Sequence, residues 1–260
     1  MADGVRKNEA KAGKNRLVVG LSGASGVAYG IRLLEALREL EIESHLVMTK
    51  PAEMTIGYET RLTPKAVAAK ADHSYNINDI GAPIASGSFK TDGMIVAPCS
   101  VRSMSEIATG VTTSLLTRAA DVCLKERRPL ILMVRETPLH LGHLRNLTAL
   151  SEMGAIILPP VPAFYAEPKT LADLVDQMVG KALDLLGHQW PQMKRWGEDL
   201  NNGKRKSSNR SSPSARSAAK GEVPVAGSRA SATLASLEVG QGFLGSSPSP
   251  RKPKPGRRGK

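Results

Sequence analysis

The chain has 260 residues, 41% of them apolar and 23% charged, enough for one large α/β domain or two small ones. That excludes a fibrous protein, and no apolar run approaches the roughly 20 residues that cross a bilayer. The net charge of +12 divides unevenly, with net +2 over residues 1–14, −1 over 15–200 and +11 over 201–260. It belongs to the ends of the chain, so nucleic-acid binding is not expected of the central region. Residues 1–14 are polar and lack the core of a secretory signal, and a cytoplasmic protein without a membrane span is expected.

Taken in chain order, residues 1–14 read as a disordered basic N-terminus. Arg16 to Leu21 is a β-branched apolar run that predicts a strand, and Val27 to Leu40 follows with Ile31, Leu34, Leu37 and Leu40 at helical spacing. Ser44 to Met48 predicts the second strand. Pro51 to Lys90 reads as a long irregular connection holding Pro64, Pro83 and the small-residue run Ala85 to Ser88, and so long a connection is expected to serve function. Met94 to Ala97, Leu130 to Val134 and Ala155 to Leu158 predict further strands, separated or followed by helices over Thr113 to Lys125, Leu141 to Met153 and Leu171 to Leu186. Strands interleaved with amphipathic helices predict a doubly wound α/β fold, a parallel sheet in a Rossmann-like or flavodoxin-like three-layer sandwich over residues 15–200. Apolar periodicity stops near Trp196. Residues 201–260 contain twelve Ser, six Pro and one aromatic, too little apolar surface to offset chain entropy, and read as a disordered basic tail. Its end, Arg251 to Lys260, has the composition of a segment that solubilises or that touches RNA, anionic lipid or an acidic partner.

The first strand-to-helix turn, Gly20 to Gly26, offers small residues, backbone N–H groups and two hydroxyls where an open parallel sheet binds its ligand. Its glycines are spaced G-x-x-G-x-x-G, and strand two ends Met48-Thr49-Lys50 without a ribose-binding acid, which disfavours NAD. Ala97 to Ser103 presents hydroxyls at the same sheet edge; with Thr49, these turns suit a mononucleotide phosphate, although Ser100 and Ser103 also suit capping of the next helix. Arg127 and Arg128 sit at a helix end, where cations answer the macrodipole. Arg135 follows a strand, and its planar guanidinium suits phosphate oxygens. Cys99 and Cys123 are expected as buried reduced thiols. His140 and His143 stand three apart with no third ligand close in sequence, so no metal site is expected. Trp190 and Trp196, with Met178 and Leu186, suggest a hydrophobic terminal helix or an oligomer contact.

Gly23-Ala24-Ser25-Gly26, Ala85-Ser86-Gly87-Ser88, Pro98-Cys99-Ser100, Arg118-Ala119-Ala120-Asp121, Leu124 to Leu130, Arg135-Glu136-Thr137-Pro138 and Pro159 to Tyr165 stand in one order. In that order they closely resemble the flavin prenyltransferase family, the UbiX-type proteins, over about residues 16–198. The resemblance implies a homododecamer of flavodoxin-like subunits that binds FMN at subunit interfaces. It implies transfer of a dimethylallyl group from dimethylallyl phosphate to N5 and C6 of reduced FMN, without a metal. The product, prenylated FMN, would serve a UbiD-type decarboxylase, in ubiquinone biosynthesis or aromatic acid metabolism. By the same resemblance Gly23, Ala24, Ser25, Thr49, Ser100, Val101, Arg102, Ser103 and Arg135 match flavin-contacting positions. Tyr165 and Lys181 match positions holding the prenyl phosphate, with Arg118, Lys125 and Glu136 near it, and Glu59 matches an acidic residue that faces the reacting end of the flavin. Lys181 stands where many relatives have Arg, and Ile80 where some have Trp.

Two other readings use the same residues. An FMN-dependent decarboxylase of a cysteinyl substrate would need a histidine after the first helix, for which His73 is the candidate. A non-catalytic subunit of an aromatic acid decarboxylase complex would act through its basic tail. Deleting residues 201–260 should leave prenyl transfer intact and lower only the net charge; loss of a binding partner with no catalysis to lose would instead support the subunit reading.

Overall fold

A computed structural model describes residues 15–198. The sequence-based expectations for residues 1–14 and 201–260 lie outside the described residues. Six parallel strands, β1 (Arg16–Leu21), β2 (Glu43–Met48), β3 (His73–Tyr75), β4 (Gly93–Cys99), β5 (Leu130–Val134) and β6 (Ile156–Ile157), stand in the order β3-β2-β1-β4-β5-β6. The helices are α1 (Val27–Glu39), α2 (Lys50–Glu59), α3 (Pro64–Ala68), α4 (Val101–Ala108), α5 (Leu115–Lys125), α6 (Leu141–Glu152) and α7 (Leu171–Asp184). The doubly wound class is as expected, and none of the helices is long and apolar enough to cross a membrane.

Strand alternation sorts the core into two layers. Leu17, Val19 and Leu21 of β1 join Leu46, Ile95, Ile131 and Met133 under α1, α2, α3 and α7. Val18 joins Val47, Met94, Val96, Leu130 and Leu132 under α4, α5 and α6. Both faces of β1 are therefore covered, which is why its sequence is continuously apolar. Each such fully buried Leu or Ile contributes about 1.5–3 kcal/mol relative to exposure.

The region 51–90 departs from expectation, because it holds two helices, a strand and a short 3-10 turn at Pro83–Ala85. Thr49 caps α2 by accepting from Ala52 N–H at 3.2 Å, with Pro51 in the first turn; Thr63 caps α3 from Ala66 N–H at 3.1 Å, with Pro64 next. Proline in a first turn has no N–H to satisfy and a dihedral already helical, so here it starts helices. The three-residue β3 adds an outer strand to the five expected. Three further boundaries move. α5 begins after Ser114, which forms a capping box with Thr117. Strand β6 is only two residues, and α7 ends at Asp184, so Trp190 and Trp196 are not helical. Trp190 is buried, donates to Glu39 at 2.9 Å and lies 4.8 Å under the Arg32 guanidinium. Trp196 is exposed and packs edge-on to Tyr165.

Helix α1 lies so close to β4 that a Cβ on Gly30 would stand 2.3 Å from the Ala97 carbonyl oxygen and 2.8 Å from Leu21 Cγ. Both neighbours are rigid. Gly30→Ala should therefore lower the unfolding free energy by about 1–3 kcal/mol, read from the urea midpoint at unchanged slope.

Candidate active site

The strand order reverses between β1 and β4, with β2 on one side of β1 and β4 on the other. A crevice opens there beyond the carboxyl ends, as in other open α/β sheets. It is a cleft of about 390 Å³ lined by Gly23, Thr49, Pro51, Ile77, Asn78, Ser100, Val101, Arg102, Ser103 and Thr113, among others. This volume falls within the range of about 300–1,000 Å³ usual for small-molecule and cofactor sites.

Ser22 fastens together the two turns that bound the cleft. Its buried hydroxyl donates to the Pro98 carbonyl at 2.9 Å and accepts the Ser100 N–H at 2.6 Å, while its own N–H reaches Pro98 O at 3.2 Å. The turn after β1 is thereby fastened to the turn after β4. Gly23 is seated against α2, where a Cβ would fall 2.2 Å from Pro51 Cβ, so only glycine lets the two turns meet. Ser100 caps α4, accepting from Ser103 N–H at 3.3 Å, and Arg102 reaches along α4 to Glu106 at 2.9 Å.

Glu59, at the end of α2, takes the N-terminus of α1: its Oε2 accepts from Gly26 N–H at 2.8 Å and Val27 N–H at 3.0 Å. The dipole of α1 is therefore answered by the chain's own carboxylate. The first turn does not offer these two N–H groups to a phosphate, contrary to the simplest reading of its glycines. Arg135 begins beyond β5 at the same sheet edge, its N–H bonded to Cys99 O at 3.0 Å, and its side chain is exposed. Burial raises the pKa of Tyr29, and the Arg135 charge pulls it back down. Glu136 follows, with Oε1 accepting the Thr137 N–H at 2.9 Å.

The remaining expected residues lie elsewhere in the subunit. Arg118 donates to the Ala85 carbonyl at 3.1 Å and pairs with Asp121 at 2.7 Å. Lys125, seven residues on and so on the same helix face, pairs with Glu126 against Gly87. These residues and Ala85 to Ser88 form one patch. Lys125 precedes β5 and Arg135 follows it, so their backbones are separated by the length of that strand, about 16 Å. Arg128 serves this patch structurally, donating to Phe89 O at 2.7 Å and Gly87 O at 2.5 Å; carbonyls of a neighbouring loop, beyond any helix dipole, hold it. Tyr165 accepts from Gln177 at 3.4 Å, and Lys181 stands one helical turn after Gln177, 3.9 Å from Asp184. His73 lies on β3, its Nε2 3.3 Å from Glu43 Oε1 at the start of β2. That is the amino edge of the sheet, away from the cleft, which removes the feature that the cysteinyl-decarboxylase reading needs. His140 Nδ1 caps α6 and its ring stacks on His143 at 3.6 Å.

Sequence reasoning did not single out Ser22, Pro51 or Asn78. Nothing in the spacing distinguishes Ser22 from Ser25; only the approach of β4 does.

A family model described as Flavoprotein matches residues 5–183. With its fold and crevice, the chain is thus a flavoprotein of the doubly wound class. It is 54% identical over 181 residues to the flavin prenyltransferase UbiX of Thauera aromatica, covering 70% of this chain and 93% of that one. Among solved structures, AnUbiX in complex with FMN and dimethylallyl pyrophosphate is 51% identical with a TM-score of 0.70, over 70% of this chain and 97% of that one. A dodecameric FMN-dependent UbiX-like decarboxylase from Escherichia coli O157:H7 is 49% identical with a TM-score of 0.68, over 70% and 98%. The chain belongs to the UbiX-type flavin prenyltransferase family.

Cys99, beside the cleft, and Cys123 are free and buried, and burial pushes each thiol up to about 12. Neither is a nucleophile at neutral pH. A chromogenic disulfide reagent at pH 8 should release no thiolate from the folded protein and two equivalents once it is unfolded in guanidinium.

Proposed function

We propose that this chain transfers a dimethylallyl group from dimethylallyl phosphate to reduced FMN in the cytoplasm, and that its product serves a UbiD-type decarboxylase. The observation that carries the reading is the cleft itself, whose lining includes Gly23, Thr49 and Ser100 to Ser103, six of the nine positions that the resemblance matches to flavin contacts, in a chain half identical to a protein seen with FMN and dimethylallyl pyrophosphate. The cleft fits the cofactor by volume and by its donors: short hydroxyls at the starts of α2 and α4, backbone brought close at Gly23, and, at the same sheet edge, the exposed Arg135, which makes no ion pair among the described residues. Gly23, Ala24, Ser25, Thr49, Ser100, Val101, Arg102, Ser103 and Arg135 would hold it. Reduced FMN supplies, when bound, the nucleophile and an aromatic face that shields positive charge.

The chain's residues answer the charge that develops on the other reactant. Breaking an allylic carbon–oxygen bond leaves negative charge on phosphate, and fixed guanidinium and ammonium groups stabilise that charge more than the ground state. Arg135, Arg118, Lys125, Tyr165 and Lys181 are assigned this role. Holding the two reactants in line removes an orientation cost that reaches about 7–11 kcal/mol. Ring closure requires removal of one proton, for which Glu59, Glu136 and the departing phosphate are the bases within the assignment.

One subunit keeps Lys125 on Glu126, at the sheet edge opposite Arg135. We infer that a neighbouring copy supplies the Arg118–Lys125 patch and that the assembly is a dodecamer like the E. coli relative. Exposed apolar residues support such contacts: Ile80 is 77% exposed, Phe164 75% and Leu171 81%.

Anaerobic incubation with reduced FMN and dimethylallyl phosphate should yield released flavin heavier by one C5 prenyl unit, read by mass spectrometry. Unmodified flavin bound tightly would overturn the transferase reading. Arg135→Ala and Lys125→Ala should each lose about 10²–10³-fold in kcat, the cost of removing one charge-stabilising donor. Co-expressing the two variants should restore part of the rate, because mixed assemblies contain some sites with both cations.

A further inference from the structure

On the sheet edge opposite the cleft, Glu43, His45 and His73 bring one ligand atom each close together. They are the one group of three metal-capable side chains among the described residues, their ligand atoms lying within 4.8 Å of one another. Strand geometry makes this triangle. Glu43 and His45 are two apart on β2 and so share a face, and His73 of β3 is the register partner of His45. Glu43 Oε1 stands 3.1 Å from His45 Nε2 and 3.3 Å from His73 Nε2. Ligands about 2.0–2.2 Å from a tetrahedral zinc ion are about 3.4 Å apart, so the spacing already approaches that of a bound site.

The surroundings are those of a ligand set. His45 is buried, its side chain 2% exposed, and its Nδ1 meets the Tyr75 hydroxyl at 2.8 Å. A partner at Nδ1 fixes the ring and leaves Nε2 to face the ion, as outer partners of metal-bound histidines do. Phe89 packs edge-on against the same ring. The side chain of His73 is 51% exposed, which provides an entry path and a position open to water. Arg16 is the competitor, with Nε 3.3 Å from Glu43 Oε1 and its guanidinium over Phe89.

We propose that Glu43, His45 and His73 form a three-ligand site for a divalent transition ion of the zinc class, which exchanges with Arg16 on Glu43. The ion ties β3 to β2. Beyond β3 the chain runs directly into Ile77 and Asn78 of the cleft lining, so occupancy would steady one wall of the cleft without touching the reactants.

The test is calorimetric titration of the full chain with Zn²⁺ alone, and with Co²⁺ for its visible spectrum. One equivalent per chain in the micromolar range is expected, with tetrahedral Co²⁺ absorption and slower amide exchange over residues 73–78. His73→Ala and Glu43→Gln should weaken binding at least about 10-fold. Arg16→Gln, which removes the competing cation at a strand end, should tighten it; that is the outcome a purely structural ion-pair network does not give. Absence of binding at millimolar Zn²⁺, or binding unchanged in His73→Ala, would overturn the proposal. The second result would place the ion elsewhere, for example at His140 and His143.

Discussion

The cleft depends on one buried hydroxyl. Ser22 is fully buried and joins the turn after β1 to the turn after β4 by donating to one and accepting from the other. A crevice at the switch point of a parallel sheet exists because the chains on either side leave in opposite directions, and the ladder pairing β1 with β4 reaches only to Gly20 and Val96, short of the two turns. Ser22 supplies the tie there, through its hydroxyl and its own N–H. A methyl group there would orphan the Ser100 N–H and one lone pair of Pro98, a cost of about 1–3 kcal/mol per buried polar group. It would also release the start of α4, whose Val101 to Ser103 form one wall.

Around these fastened turns the charges are distributed in neutralised pairs. Arg118 is paired with Asp121, Lys125 with Glu126 and Arg102 with Glu106, whereas Arg135 makes no ion pair among the described residues. A cation already paired on an exposed surface is held by little, since such pairs contribute about 0–1 kcal/mol. An incoming phosphate, doubly charged and polydentate, displaces a carboxylate from such a cation at small cost. In the proposed assembly this pairing would keep the interface electrically quiet until a phosphate enters. There, cations separated by the length of β5 would serve one reaction, each subunit presenting its patch to a neighbour's cleft.

The sheet was legible because burial on both faces writes itself as short apolar runs; Arg16 to Leu21 and Leu130 to Val134 fall where those runs predict. The connection after β2 was not. Its helices are polar on most of their surface, with Ala52 and Ile56 buried in α2 and only Val67 in α3, so apolar period carried no signal. Their starts were nevertheless written in Thr49 and Thr63 followed by proline, a local cue that the length of the connection obscured. The cleft residues carried by the turn motifs, Gly23, Thr49 and Ser100 to Ser103, do meet in space. Ser22 and Pro51 could not be distinguished from their neighbours, because their importance arises from strands distant in sequence. For the same reason the triangle of Glu43, His45 and His73 became visible only when β3 was placed beside β2.

The surroundings of Lys181 bear on the phosphate-holding role proposed for it. An arginine there would present a planar fork to phosphate; lysine presents a single compact charge on a flexible stem. Its nearest acid, Asp184, is already engaged by Arg195 at 2.6 Å, and that hydrogen bond above all holds the Asp184 carboxyl below its ordinary range. At 3.9 Å from the same carboxylate, Lys181 is only loosely retained. The ammonium can therefore swing toward the Tyr165 side of α7 without stranding an unpaired acid behind it. If Lys181 holds the prenyl phosphate as proposed, reach would replace the fork: what lysine loses in bidentate geometry it would recover in freedom to follow the phosphate as it departs.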